Sequence, residues 1–394
     1  MRRTVCSACG DKELNQFLDL GDSPIADAYT DSPNRDVPRY PLALAVCGNC
    51  YLVQLMEIVD AKTLFGTGYS FYSSASPPLS AYHATYAESL FEPYDALLRK
   101  GILEIGCNDG DFLRHFAAYR SLGVDPAIGP VRMAEERGLR IWKGAFSLEL
   151  AQDMEKFGVV VANHVLAHVE DVSDVLAGIS HVLADDGVAI IEVQYLPDLL
   201  LNNAFDLVYH EHRNFFSLTS LTNAARLHGL QVLEVQFTQR QGGSIRVTLN
   251  HGIRAAHGFT DLRAWTEDWL QDPSAYAGFQ GRAYRVVSRL WDLIMSLKGA
   301  PVVGYGAPAK ATTLLNFCGL DETELEFVID TTPAKQGRYI PGTGLPILAA
   351  DEPHLADTYL LLSWNYMAEI LRKEKEFTAA GGRWLIPLPV PVIL

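Results

Sequence analysis

Hydrophobic and polar positions divide the chain into three stretches of different period. Between about residues 100 and 250, short apolar runs alternate with segments of helical spacing, the signature of a parallel sheet covered by helices on both faces. Gly101–Ile105, Ser121–Val124, Arg140–Lys143, Val159–Ala162 and Val188–Val193 are expected strands, and Pro130–Gly138, Ser173–Ala184 and Leu218–His228 are expected helices. Two β-rich runs follow, Leu230–Phe237 and Ser244–Leu249, joined by Thr238-Gln-Arg-Gln-Gly-Gly243. They predict an antiparallel hairpin that closes the parallel sheet.

A helical stretch over about Ala277–Lys298 leads into a second strand, glycine turn and helix at Ala300-Pro-Val-Val-Gly-Tyr-Gly-Ala-Pro-Ala-Lys310. Further strands are expected at Leu325–Asp330 and Tyr359–Ser363, which predicts a small doubly wound unit. Before residue 66 the apolar runs are short and broken by turns such as Thr30-Asp-Ser-Pro-Asn-Arg-Asp-Val-Pro38. A segment this small has little core of its own. The pattern divides the chain into an α/β protein with domains at 1–66, 67–255 and 256–394.

Composition narrows the class. A length of 394 residues exceeds one ordinary core, and 48% apolar residues make the chain globular. The formal charge of -15, with no Lys/Arg-rich run, argues against nucleic acid or an anionic membrane as partner. Met1-Arg-Arg-Thr-Val-Cys has no apolar stretch behind its charges, and no later run reaches the roughly 18 residues needed to span a bilayer. A cytoplasmic location is expected.

In that compartment six cysteines do not suggest a disulfide framework. Cys6-Ser-Ala-Cys9 and Cys47-Gly-Asn-Cys50 instead have the spacing that supplies four thiolates to one tetrahedral zinc. Four thiolates leave no open position, so the metal is expected to fold the N-terminal module rather than to catalyse. Cys107 and Cys318 are expected to be buried.

The run Leu103-Glu-Ile-Gly-Cys-Asn-Asp-Gly110 places an acidic-x-Gly-x-x-x-Gly turn directly after an apolar strand. Gly106 and Gly110 allow close approach of a ligand, while Glu104, Asn108, Asp109 and the turn amides could hold the amino-acid end of S-adenosylmethionine. Asp125, about twenty residues on, is placed for ribose hydroxyls. Ala145 and Phe146 would flank the adenine, and Asn163 and His164, ending the fourth strand, would face the cleft. Turn, acid and terminal hairpin together point to a class I methyltransferase fold, with NAD or a vestigial site as alternatives.

Two histidine groups belong to the same end of the sheet. Asn163-His-Val-Leu-Ala-His168 places His164 and His168 on one face if helical, and Tyr209-His-Glu-His212 follows the fifth strand, beyond the carboxyl ends where open sheets bind ligands. His210 and His212 would point alike if extended, which leaves a metal pair or an ordinary polar loop as alternatives to catalysis. Gly68-Tyr-Ser-Phe-Tyr-Ser-Ser74 offers phenols to the site, or aromatic packing against the N-terminal module.

Taken in order, the two Cys-x-x-Cys pairs, Tyr69-Ser-Phe-Tyr72-Ser-Ser, Leu103–Gly110, Ala162-Asn-His-Val-Leu-Ala-His168, Tyr209-His-Glu-His212, Gly306-Ala-Pro-Ala-Lys310 and Lys335-Gln-Gly-Arg-Tyr339 resemble the sugar C-methyltransferases of deoxysugar biosynthesis. The resemblance implies a zinc module, a central methyltransferase domain and a C-terminal Rossmann-like domain. It implies methylation, at C3, of a nucleotide-linked 4-keto-6-deoxy sugar through an enolate. His212 matches the general base and His168 an assisting histidine. Glu211 would orient or polarise the base, while Tyr209 with Tyr69 or Tyr72 would position the sugar and hold the enolate oxygen. The sequence departs from the family at His164, often Asn there, and at Phe71, often Tyr.

Gly304-Tyr-Gly-Ala-Pro-Ala309, with Asp330 about twenty residues later, reads by itself as an NAD fingerprint. Three readings stay open: inherited architecture, contact of Lys310, Lys335 and Arg338 with the diphosphate of a nucleotide sugar, or NAD. The rival functions are an NAD-dependent nucleotide-sugar epimerase or reductase and a non-catalytic zinc-module scaffold. The expected assembly is a monomer or small homo-oligomer.

Overall fold

The computed structural model describes all residues except 61–62, 65–70, 239–241, 253–266, 298 and 352–355. The central apolar runs pair into a seven-stranded sheet in the order Gln231–Thr238, Ser244–Asn250, Leu183–Gln194, Phe157–Asn163, Ile102–Ile105, Ser121–Asp125 and Ile141–Lys143. The last five are mutually parallel, and Ser244–Asn250 runs antiparallel to Leu183–Gln194. The chain therefore reverses direction on either side of Ile102–Ile105, and ligand sites in open sheets lie at the carboxyl ends beside such a switch. This is the class I methyltransferase arrangement, closed by the hairpin that the sequence predicts.

The helix expected over Ser173–Ala184 is shorter, Val172–Val182, capped by Asp171 accepting from the Asp174 amide. Leu183 leaves helical geometry because it pairs with Phe157 and begins the long strand. The apolar pattern predicts no counterpart of the helix Pro77–Leu98, which Ser76 caps by accepting from the Leu79 amide, with proline at its start. It buries Tyr86, Leu90, Leu97 and Leu98 beside the central strands.

A second sheet, in the order Ile347–Ala349, Val328–Asp330, Val302–Tyr305, Thr358–Leu361, Arg383–Ile386 and Val392–Ile393, forms the C-terminal doubly wound unit. Only the last strand is antiparallel to its neighbour. The third sheet joins Leu14–Pro24, Arg39–Cys47 and Val53–Leu55 to Asn214–Phe215, a strand that follows the Tyr209–His212 loop. The N-terminal module is thus completed by the segment carrying the candidate base.

One apolar core crosses all three units. Leu18, Leu42 and Leu44 of the N-terminal sheet pack with Phe205 and Val208, and with Phe279, Leu290 and Leu314 on helices Phe279–Ser296 and Ala309–Cys318. Full burial of each such side chain contributes roughly 1.5–3 kcal/mol, so the units hold one another in fixed positions.

Candidate active site

The four cysteines converge. Cys6 and Cys50 sulfurs lie 3.5 Å apart, as do those of Cys9 and Cys47, and all four fall within 4.8 Å of one another. Bonds of about 2.3 Å to a tetrahedral zinc require such a spacing, so the donor set fits. Among the described residues no other group of His, Cys, Asp or Glu has metal-ligand geometry. The first knuckle also reaches inward: Ser7 Oγ donates to Asn214 Oδ1 at 2.8 Å, and the Asn214 amide group donates to the carbonyls of Leu166 and Val169. Asn214 therefore braces both histidine segments against the metal module.

At the glycine turn, Gly106 (φ 69°) and Gly110 (φ 74°) adopt left-handed backbone, and a Cβ on either would collide with Val165 or Leu139. Asp125 accepts from the amides of Asn108 and Ala127, both at 2.8 Å. Burial raises its pKa against those two bonds. Glu104 Oε2 and both amide atoms of Asn163 are buried without a partner, on adjacent strands paired at Glu104↔Val161 and Ile105↔Ala162. Burial, with Asp125 and Asp111 nearby, pushes the Glu104 pKa well up. Such orphaned groups at the strand ends are suited to a ligand carrying its own charges, as the amino-acid end of S-adenosylmethionine does.

Other residues expected at the cofactor have internal roles. Asn108 accepts from the Ser73 amide and donates to the Phe71 carbonyl, and Asp109 Oδ2 accepts from Ser74. These bonds clasp the segment before helix Pro77–Leu98 onto the turn. Tyr72 lays its hydroxyl against Gly129, so close that a Cβ there would clash. That places it beside the Asp125 loop, whereas His212 bonds to the Tyr209 hydroxyl and the Leu207 carbonyl. Phe146 is 8% exposed and joins the core, while Ala145 is exposed. Tyr69 lies outside the described residues.

The Tyr209–His212 segment is a turn, closed by the His212 amide donating to the Tyr209 carbonyl at 2.9 Å, not an extended strand. His210 consequently points to the Tyr40 carbonyl, 3.2 Å away. His212, buried like His210, points instead to the Leu207 carbonyl and the Tyr209 hydroxyl, so the two do not form a metal pair. His212 Nδ1 lies 2.9 Å from the Leu207 carbonyl and must carry the proton, because a carbonyl only accepts. Nε2 therefore keeps its lone pair and accepts from the Tyr209 hydroxyl at 2.7 Å. Burial, with His168 beside it, holds the His212 pKa well below the usual imidazole value against the Leu207 carbonyl. The His168 ring centre is 5.1 Å away, and its Nδ1 donates to the Glu211 carbonyl at 2.8 Å. Burial lowers the His168 pKa to about 4.

The Glu211 side chain does not orient His212 through any bond in the described residues. It is 7% exposed, both carboxyl oxygens lack a partner, and burial with Asp27 nearby pushes its pKa up to about 8. His164 leaves helical geometry (φ 56°), so it does not share a helical face with His168. Its Nε2 sits 3.2 Å from Glu192.

Glu192 is not among the residues the motifs single out, although a lone acid in Val188-Ala-Ile-Ile-Glu192-Val is a visible signal. Its carboxyl accepts from the Tyr82 hydroxyl at 2.6 Å and from Arg246 Nε at 2.9 Å. Burial would raise its pKa, but His164, Arg246 and Tyr82 hold it down at about 2. The cluster fastens helix Pro77–Leu98 and the hairpin to the strand ends.

The C-terminal glycine turn is filled by the chain. Asp330 accepts from the Ala307 amide at 2.6 Å, and the Ala307 carbonyl accepts from Tyr29 at 2.7 Å and Lys335 at 2.8 Å. Arg338 binds the Tyr29 carbonyl and Asp31. Lys310 is 5% exposed, donates to Asn365 at 2.7 Å and lies 3.8 Å from Asp206. The diphosphate contact expected of Lys310 is thus closed off here, since its ammonium is enclosed between protein groups. These arrangements support the architectural reading of the turn over the NAD reading.

Each part of the chain has counterparts among known proteins. Residues 6–65 match a zinc binding domain, residues 82–235 a methyltransferase domain and residues 239–389 a C-methyltransferase C-terminal domain. The chain is 33% identical over 406 residues to C-methyltransferase NovU of Streptomyces niveus, covering 99% of this chain and 96% of that protein. Similar solved structures include a S-adenosylmethionine-dependent methyltransferase from Clostridium acetobutylicum (13% identity, TM-score 0.37, 43% of this chain and 92% of that one). Another is magnesium protoporphyrin IX methyltransferase from Synechocystis (16% identity, TM-score 0.35, 48% of this chain and 91% of that one).

Proposed function

Because the chain belongs to the C-methyltransferase family and depends on S-adenosylmethionine, we propose that it methylates C3 of a nucleotide-linked 4-keto-6-deoxy sugar. The cofactor supplies an electrophilic methyl group on a sulfonium. The protein's task is to make a nucleophilic carbon and hold it in line. The observation that carries the reading is His212, buried and neutral, with its tautomer fixed by Leu207 and its Nε2 lone pair turned to the Tyr209 hydroxyl at 2.7 Å.

A ketone at C4 acidifies the C3 proton. His212 Nε2 accepts that proton as the Tyr209 hydroxyl turns from the imidazole to the ketone oxygen, where it stabilises the enolate. Glu211, protonated near neutral pH because burial lifts its pKa to about 8, offers a second hydrogen to the same oxygen. His168, kept neutral by burial, supports the His212 ring without adding a competing charge. Glu104 and Asn163 hold the amino-acid end of the cofactor and Asp125 its ribose.

The test is incubation of dTDP- and GDP-linked 4-keto-6-deoxyhexoses in deuterated water, read by mass spectrometry. Deuterium uptake beside the ketone, and a methyl gain that needs the cofactor, should both disappear in His212→Ala. Uptake that persists in that variant would remove His212 as the base.

A further inference from the structure

We propose that the C-terminal Rossmann-like unit has become the clamp that sets the tautomer of His212, with Lys310, Thr313 and Trp364 as positioning residues. The inference rests on the reading of His212 as the base. Its starting point is the Leu207 carbonyl, the group that fixes the proton on His212 Nδ1. Leu207 belongs to the short helical turn Phe205–Leu207, held internally by the Leu207 and Val208 amides donating to the Ala204 and Phe205 carbonyls, bonds of the poorer geometry typical of such short turns.

Helix Ala309–Cys318, which follows the C-terminal glycine turn, grips this segment on both sides of Leu207. Before it, Asp206 is fully buried and faces Lys310 at 3.8 Å, while Trp364 Nε1 donates to Asp206 at 2.6 Å. Lys310 also lies 3.9 Å from the centre of the Trp364 ring. After Leu207, the Thr313 hydroxyl donates to the Val208 carbonyl at 3.0 Å, and at the far end Phe317 packs on Phe205 with ring centres 5.2 Å apart. An ammonium is costly to bury unless it is paired and hydrogen-bonded, as Lys310 is by Asp206 and Asn365. Here it fixes the residue next to the carbonyl that orients the base. The helix that binds a dinucleotide phosphate in other doubly wound folds is turned, in this chain, to holding a catalytic side chain of a neighbouring domain.

Histidine-selective 15N NMR of the full protein tests this without any substrate, with the His212 signal assigned by its loss in His212→Ala. Wild type should show the single Nδ1–H form. Thr313→Val and the double variant with Lys310→Met should show a mixture of both tautomers. They should also lose about tenfold in kcat with KM for S-adenosylmethionine unchanged, and Thr313→Ser should restore the signal. A single Nδ1–H form with wild-type kcat in folded variants would overturn the proposal. If the double variant does not fold, Thr313→Val, which leaves the ion pair intact, decides alone. Should deuterium uptake persist in His212→Ala, the base assignment falls, while the tautomer readout still reports on the clamp.

Discussion

The two glycine turns begin alike and end differently. In each, an acid about twenty residues beyond the turn accepts from a turn amide: Asp125 from Asn108 and Asp330 from Ala307. Around the first, Glu104 Oε2 and the amide atoms of Asn163 stay buried without partners. Around the second, Tyr29 and Lys335 occupy the Ala307 carbonyl and Lys310 is drawn into the neighbouring domain. The local motif sets the backbone, and residues from distant parts of the chain decide whether a ligand can use it.

The largest effect should come from the metal that frames the first turn's histidine loops. Chelation or Cys47→Ser removes a zinc site whose binding is worth on the order of 10 kcal/mol in small modules. Because Ser7 and Asn214 link the knuckle to both histidine segments, methyl transfer should vanish while much of the central sheet survives, measurable by activity beside circular dichroism. Next, Glu104→Gln should weaken S-adenosylmethionine binding by about tenfold or more in calorimetry. The same change should raise Tm, because it removes a buried carboxyl that lies near Asp125 and Asp111 and whose Oε2 lacks a partner.

Glu211 gives a pH-dependent effect. The unfolded chain releases this proton near 4.5 and the folded chain holds it to about 8. Between those values the folded state binds more protons, so stability is full below the lower value and is lost as pH rises through the upper one. Glu211→Gln should therefore raise Tm relative to wild type at about pH 9 and do little at about pH 4. The smallest effect is expected at the second turn. Asp330→Ala should cost roughly 1–3 kcal/mol by stranding the Ala307 amide, with S-adenosylmethionine affinity unchanged in calorimetry.

Local patterns carried much of this into the sequence. The cysteine spacing, the Leu103–Gly110 turn and the terminal hairpin are short-range features whose chemistry follows from the residues themselves. Helix Pro77–Leu98 was signalled only by Ser76-Pro77-Pro78, a cap followed by proline. Glu192 acquires its meaning from Tyr82 and Arg246, which lie 110 and 54 residues away, and such pairings leave no periodic trace. The Tyr209–His212 turn was hidden likewise, because the partners that separate His210 from His212 are the carbonyls of Tyr40 and Leu207.

The most direct measurement is NMR of the product formed from dTDP-4-keto-6-deoxyglucose and S-adenosylmethionine labelled with 13C in the methyl group. The expected result is an aliphatic methyl carbon correlated with the sugar carbon beside the ketone and absent from the His212→Ala reaction. A methyl carbon bonded to oxygen, or one formed equally well by His212→Ala, would contradict it.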